Sequence, residues 1–282
     1  MIRSRIAVAA LMTVNALVGA SANAQCAAPI PLEIGGPRPA VDISLANGRT
    51  AKAVFDTGAM ATIVNVEKTA ELGLSRSGPL EPPYSGHGAA NGFQVTLPGL
   101  AVGAYPVGDV SAPAIASPLP NVAIVLSPSV FGDRLVELDL GHARLTVCDK
   151  NEATAKRGEA NAYSAPPFAL PTVDVEVGGR KFAAHLDTGS PITVLFPKRY
   201  AESLPLQGPL EQSGTVRTHW GEQAIYKAKI AGPLRIGPLT LDSPEVRFTD
   251  LVQEVNVGTQ VLRQLRITLD PSGHRSWIEK SA

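Results

Sequence analysis

The tripeptide Asp-Thr-Gly occurs twice in this chain, at Asp56-Thr57-Gly58 and Asp187-Thr188-Gly189, 131 residues apart. One copy would suit any turn. The same spacing, however, recurs well away from it. Gly48-Arg49 answers to Gly179-Arg180, Ala53 to Ala184, Thr62 to Thr193, Ala70 to Ala201 and Asp139 to Asp270. With a one-residue slip, Gly78-Pro79-Leu80-Glu81 matches Gly208-Pro209-Leu210-Glu211. A unit of this length is too long for a solenoid repeat, so the duplication constrains the chain to two similar lobes. The division expected is a lobe over 25–150, a polar linker over 151–166 and a second lobe over 167–282.

Each unit reads as strands joined by turns. A short alternating stretch (41–45; 173–177) is followed by Asn47-Gly48 or Gly178-Gly179, both good hairpin dipeptides. The next strand (51–55; 182–186) runs into Asp-Thr-Gly, and a β-branched apolar run (61–64; 192–195) leaves it. Brief helical patterns lie at 66–72 and 197–203. Further strands are expected at 93–97, 100–102 and 135–138, then at 224–230, 234–236 and 266–269. With 26 Gly and 24 Pro breaking the chain, the fold class is mainly β, two β-barrel lobes related by pseudo-twofold symmetry with short helices.

Arg3 and Arg5 precede an apolar run over 6–20, and Ala22-Asn23-Ala24 follows as an A-x-A site. That is the layout of a secretory signal peptide over 1–24, cleaved after Ala24, and implies a periplasmic or secreted protein with no membrane anchor thereafter. Cys26 also admits a lipoprotein reading, but Gln25 before it is the wrong residue for lipid attachment. In an oxidising compartment Cys26 and Cys148 are expected to form a disulfide. The full chain has 25 basic and 25 acidic residues, so it carries no general attraction to nucleic acid or to an anionic membrane.

A carboxylate at the end of a buried strand is costly unless it is hydrogen-bonded or used. Here that cost occurs twice, at equivalent places. Pseudo-symmetry brings the two turns together, and carboxyls that close share one proton. The ionised member is then a general base for water and the protonated member a general acid for a substrate carbonyl. This chemistry needs neither metal nor other cofactor. The five His show no H-x-x-x-H spacing, and no G-x-S-x-G elbow, G-x-G-x-x-G or P-loop is present.

A strand, an Asp-Thr-Gly turn and a buried strand, written twice with a later strand ending in Asp, resembles the aspartic peptidases. Phe55-Asp56-Thr57-Gly58-Ala59 is similar to the retroviral type and Leu186-Asp187-Thr188-Gly189-Ser190 to the pepsin type, so the chain resembles a fused, tandem retropepsin. The resemblance implies a monomeric pseudo-dimer that cleaves peptide or protein substrates, with Asp56 and Asp187 as the catalytic pair. It implies that Thr57 and Thr188 cross-link the turns and that Gly58 and Gly189 supply tight backbone, with Ala59 and Ser190 completing the turns. Tyr84-Ser85-Gly86-His87-Gly88 resembles a flap, with its counterpart near Ser213-Gly214-Thr215 and His219-Trp220-Gly221 just beyond.

Two asymmetries qualify it. The family's apolar-apolar-Gly stretch is served by Val255-Asn256-Val257-Gly258 in the second unit, but in the first the aligned residue is Ser127, after Ile124-Val125-Leu126. That departure sustains an alternative, a catalytically inactive protein of this fold that binds peptides or a partner protein. A Ser190 hydroxyl donating to Asp187 would stabilise its charged form, for which Ala59 has no equivalent, and so Asp187 is expected to be the ionised partner.

Overall fold

A computed structural model describes residues 26–81, 92–117, 119, 121–151, 159–165, 169–218 and 221–281. The described residues are mainly β, with helix among them confined to a few short segments. In the first lobe, Ala40–Ser44, Thr50–Phe55, Ile124–Leu126, Ile63–Asn65, Tyr105–Ile115 and Phe93–Val102 pair in that order. Phe93–Val102 then pairs back onto Ala40–Ser44, with Ile43 opposite Val102, and closes a six-stranded barrel. Alternate residues fill it: Phe55, Leu97, Leu100, Ile124 and Leu126 are fully buried.

The second lobe repeats the order with Thr172–Val177, Arg180–Leu186, Val255–Val257, Val194–Pro197, Glu245–Thr249 and Gly221–Lys229. Its return to Thr172–Val177 is made by a separate strand, Pro233–Ile236, because Ala231-Gly232 interrupts what is one strand in the first lobe. The first lobe absorbs Pro98-Gly99 instead as a bulge, with the register shifting between Leu97 and Leu100 and Gly99 at φ 52°. Thus the two strands expected at 93–97 and 100–102 are one. The helical patterns at 66–72 and 197–203 shrink to 3-10 turns, Val66–Lys68 and Lys198–Ser203.

A third sheet belongs to both lobes. The hairpin Arg134–Asp139/Arg144–Asp149 of the first lobe lies beside Leu265–Asp270/Arg275–Lys280 of the second, antiparallel. Leu138 faces Ile267, Val136 faces Leu269 and Glu137 faces Thr268. Glu137 and Thr268 are themselves one repeat length apart, so the pseudo-twofold axis passes between them. Ile30–Pro31 forms one edge of this sheet, and Asn161–Ala162 pairs with Arg275 and Ser276 at the other. The latter pair falls inside the stretch read as a linker. Backbone there satisfies the open edge of a sheet, which its polar composition does not reveal.

Asp139 and Asp270 end equivalent strands and are buried. Asp139 accepts from Arg144 (3.0 Å), the Ser281 hydroxyl (2.8 Å) and the His142 backbone N–H (3.2 Å). Asp270 accepts from Arg275 (2.9 Å) and the Gly273 N–H (2.8 Å), and Lys150 lies 2.6 Å from it. Burial pushes both carboxyls up, but these donors outweigh it and hold each below the usual carboxylate range. They are strand-end anchors.

Cys26 and Cys148 form a disulfide across a sequence separation of 122, tying the start of the described chain to the shared sheet. Reduction, or the Cys26→Ala/Cys148→Ala pair, is expected to cost about 2–5 kcal/mol, read as a lower urea midpoint with and without reductant. Equal midpoints would show that the shared sheet holds this edge unaided.

Candidate active site

The strands Thr50–Phe55 and Arg180–Leu186 each run beside a parallel partner, and the registers match through the duplication. Ala53 faces Ile124 and Phe55 faces Leu126, while Ala184 faces Val255 and Leu186 faces Val257. Each strand then delivers its Asp to the same place. The Asp56 N–H donates to Leu126 O and the Asp187 N–H to Val257 O, both at 2.9 Å.

The threonines that follow join the two turns. The Thr57 N–H donates to Thr188 Oγ1 and the Thr188 N–H to Thr57 Oγ1, both at 3.0 Å. Each hydroxyl also donates onward, Thr57 Oγ1 to Leu186 O and Thr188 Oγ1 to Phe55 O, both at 2.6 Å. Both side chains are buried, so the four bonds form without competition from water.

Above them each glycine lies flat against the opposite carboxyl. A Cβ on Gly58 would sit 2.7 Å from Asp187 Cγ, and one on Gly189 would sit 2.6 Å from Asp56 Cγ. Only a residue without a side chain permits that approach. The Gly58 N–H donates to Asp56 Oδ1 at 2.8 Å. Burial pushes the Asp56 carboxyl up, and the Asp187 charge and a hydrogen bond between the two side chains push the same way. The Gly58 and Gly189 N–H groups pull against them, and the balance lifts Asp56 to about 7. Taken as whole residues, both aspartates are half-buried.

The surroundings are not symmetric. Asn256 Nδ2 donates to Asp187 Oδ2 at 2.5 Å, while the aligned residue in the first lobe is Val125. No hydrogen bond joins the Ser190 hydroxyl to Asp187 among the described residues, so the side-chain donor expected there comes from Asn256 instead. Arg38 crosses between lobes and donates through Nε to Gly189 O at 2.5 Å. The sequence signal for Asn256 is one amide in the apolar run Val255-Asn256-Val257. For Arg38 no local pattern exists, because its partner lies 151 residues away.

Gly258 and Ser127 occupy equivalent positions for different reasons. A Cβ on Gly258 would lie 2.6 Å from Ser190 O, since the helical turn Thr259–Leu262 is tied to that loop by the Thr259 N–H at 2.8 Å. In the first lobe a cavity of about 170 Å³, lined by Thr57, Ala59, Met60 and Ser127 among others, leaves room for a side chain. Ser127 uses that room, accepting from the Ser129 N–H to cap the turn Pro128–Phe131. Gly258→Ala is therefore expected to destabilise by about 1–3 kcal/mol, and Ser127→Gly by a few tenths of a kcal/mol. Thermal unfolding of both variants checks this; equal losses would contradict it.

Of the flap residues, Tyr84, Ser85, Gly86, His87 and Gly88 lie outside the described residues, as do His219 and Trp220. Ser213, Gly214 and Thr215 sit within the strand Glu211–Thr218. That strand stays paired with Gly221–Lys229 beyond them, as far as Thr218 opposite Gly221. Residues 1–24 also lie outside the described residues. Among the described residues no group of three or more His, Cys, Asp or Glu is placed to hold a metal ion, and no helix is long and apolar enough to cross a membrane.

No curated protein matches the chain. Residues 173–268, which carry Asp187-Thr188-Gly189, Asn256 and Gly258, match the family model described as aspartyl protease, and this supports a protease, a hydrolase of the aspartic peptidase superfamily.

Proposed function

We infer that the chain is an exported aspartic endopeptidase, in which Asp56 and Asp187 activate a water between the two lobes. The observation that carries the reading is the pair itself. Each carboxyl lies against the other lobe's glycine, on turns locked together by Thr57 and Thr188, and the Asp187 charge raises Asp56. In the reaction the ionised carboxylate takes a proton from water as its oxygen attacks the scissile carbonyl carbon. The protonated carboxyl gives its proton to the carbonyl oxygen, forming a gem-diol. Collapse breaks the C–N bond, the amine nitrogen leaves with the proton held by the first carboxyl, and the pair regains one proton from the gem-diol.

The alternative, a silent protein that binds peptides or a partner protein, rested on Ser127 and on modest flaps, most of which lie outside the described residues. The backbone bond behind Asp56 has the same length as that behind Asp187, which favours the enzyme. The disulfide supports export. The shared sheet, already complete within one chain, supports a monomer. The test is digestion of a peptide mixture in H₂¹⁸O from acidic to neutral pH. Fragments with one ¹⁸O in each new carboxyl are expected, and intact peptides at every pH would overturn the reading.

A further inference from the structure

The first lobe has Val54, Ala123 and Val125 where the second has His185, Glu254 and Asn256. Those three polar residues are neighbours. His185 faces Asn256 across parallel strands, and its Nε2 lies 2.7 Å from Glu254 Oε2. Asn256 alone of the three reaches the carboxyl pair, by its amide bond to Asp187 Oδ2. An N–H held on a carboxylate oxygen favours the charged form. Valine, its aligned residue, offers Asp56 nothing equivalent.

We propose that Asn256 is a positioning residue that anchors the negative charge on Asp187 and so leaves the shared proton on Asp56. It rests on the reading of the two aspartates as the working pair, and adds which of them is base and which is acid. The direction in which Asp56 is displaced agrees with it, since burial and the Asp187 charge raise Asp56 despite two backbone donors. Other groups near Asp187 are directed elsewhere: Arg38 donates to the Gly189 carbonyl, and His185 Nε2 lies beside Glu254. Among the described residues neither donates a hydrogen bond to Asp187, so the asymmetry falls to Asn256.

The experiment follows the carboxyl carbons of ¹³C-labelled Asp by NMR, assigned with Asp56→Asn and Asp187→Asn. In the wild type Asp187 is expected to ionise at lower pH than Asp56. In Asn256→Val its ionisation should move up by about one pH unit, a tenfold change in proton affinity. Asn256→Ala serves as a second variant should valine crowd the site. In the Val125→Asn/Asn256→Val pair, which moves the donor to the first lobe, Asp56 should ionise first. An unmoved Asp187 in a folded variant, or Asp56 ionising first in the wild type, overturns the proposal. Titration needs no turnover, so the two readings fail separately. A protein that cleaves nothing but shifts on loss of Asn256 sinks the peptidase, whereas cleavage with an unmoved Asp187 sinks the role of Asn256.

Discussion

Asp56→Asn and Asp187→Asn are each expected to lower peptide cleavage by about 10³–10⁴-fold, because each would remove one of the two proton-transfer roles proposed for the pair. Asparagine keeps the shape of the side chain, so the fold should survive. Asp56→Asn should even gain stability near neutral pH. Asp56 rises from 3.8 to about 7 on folding, so the folded chain binds that proton more tightly than the unfolded chain. Wild-type stability from this group therefore falls as pH rises between about 4 and about 7, and Asp56→Asn removes that fall. Asp139 and Asp270 act in the opposite sense. Their carboxyls are lowered by folding, so their contribution is present above the unfolded value of 3.8 and is lost as pH falls below it. Cleavage rates and melting temperatures across pH, for wild type and both variants, measure all of this. Wild-type cleavage should also decline above about 7, where Asp56 gives up the shared proton. Rates unchanged in either Asn variant would remove the dyad from the mechanism.

The second large effect lies beneath the carboxyls. Thr57→Val or Thr188→Val keeps the side-chain volume but orphans one buried N–H and one buried carbonyl of the other turn. Each substitution is expected to cost about 2–4 kcal/mol. The double variant should cost less than the sum, because the two hydroxyls share one network. Serine at either position should restore most of the loss. Urea unfolding gives the energies, and cleavage should drop alongside, since the turns are what hold the carboxyls in register. A Val variant within a few tenths of a kcal/mol of wild type would mean that the shared sheet alone aligns the lobes.

The repeat spacing made much of this architecture legible before any coordinates. It anticipates the strands that run into and out of each Asp turn and the hairpins at Asn47-Gly48 and Gly178-Gly179, whose glycines lie at φ 79°, 58° and 73°. What it did not reveal has physical reasons. Tyr105–Ile115 is a long strand although Pro106, Gly108 and Pro113 punctuate it, because pairing along Phe93–Val102 overrides local preference. The turn after Ile63–Asn65 is short because Leu72 and Leu74 must return to the core. Arg38 and Asn256 act across tertiary distances, and each is a single residue that breaks no pattern strongly enough to mark its purpose. The departure at Ser127 was visible in the sequence, but its meaning was not, since whether a side chain fits there depends on the loop facing it.

The pair Glu137–Thr268 on the axis has a further consequence. In a dimer of two identical halves, any residue on the axis faces its own copy, and a glutamate there would set carboxylate against carboxylate in neighbouring strands. Covalent fusion lifts that restriction: one half keeps its acid while the other offers a hydroxyl. The same freedom extends outward from the axis, so that each lobe can specialise without imposing its change on its twin.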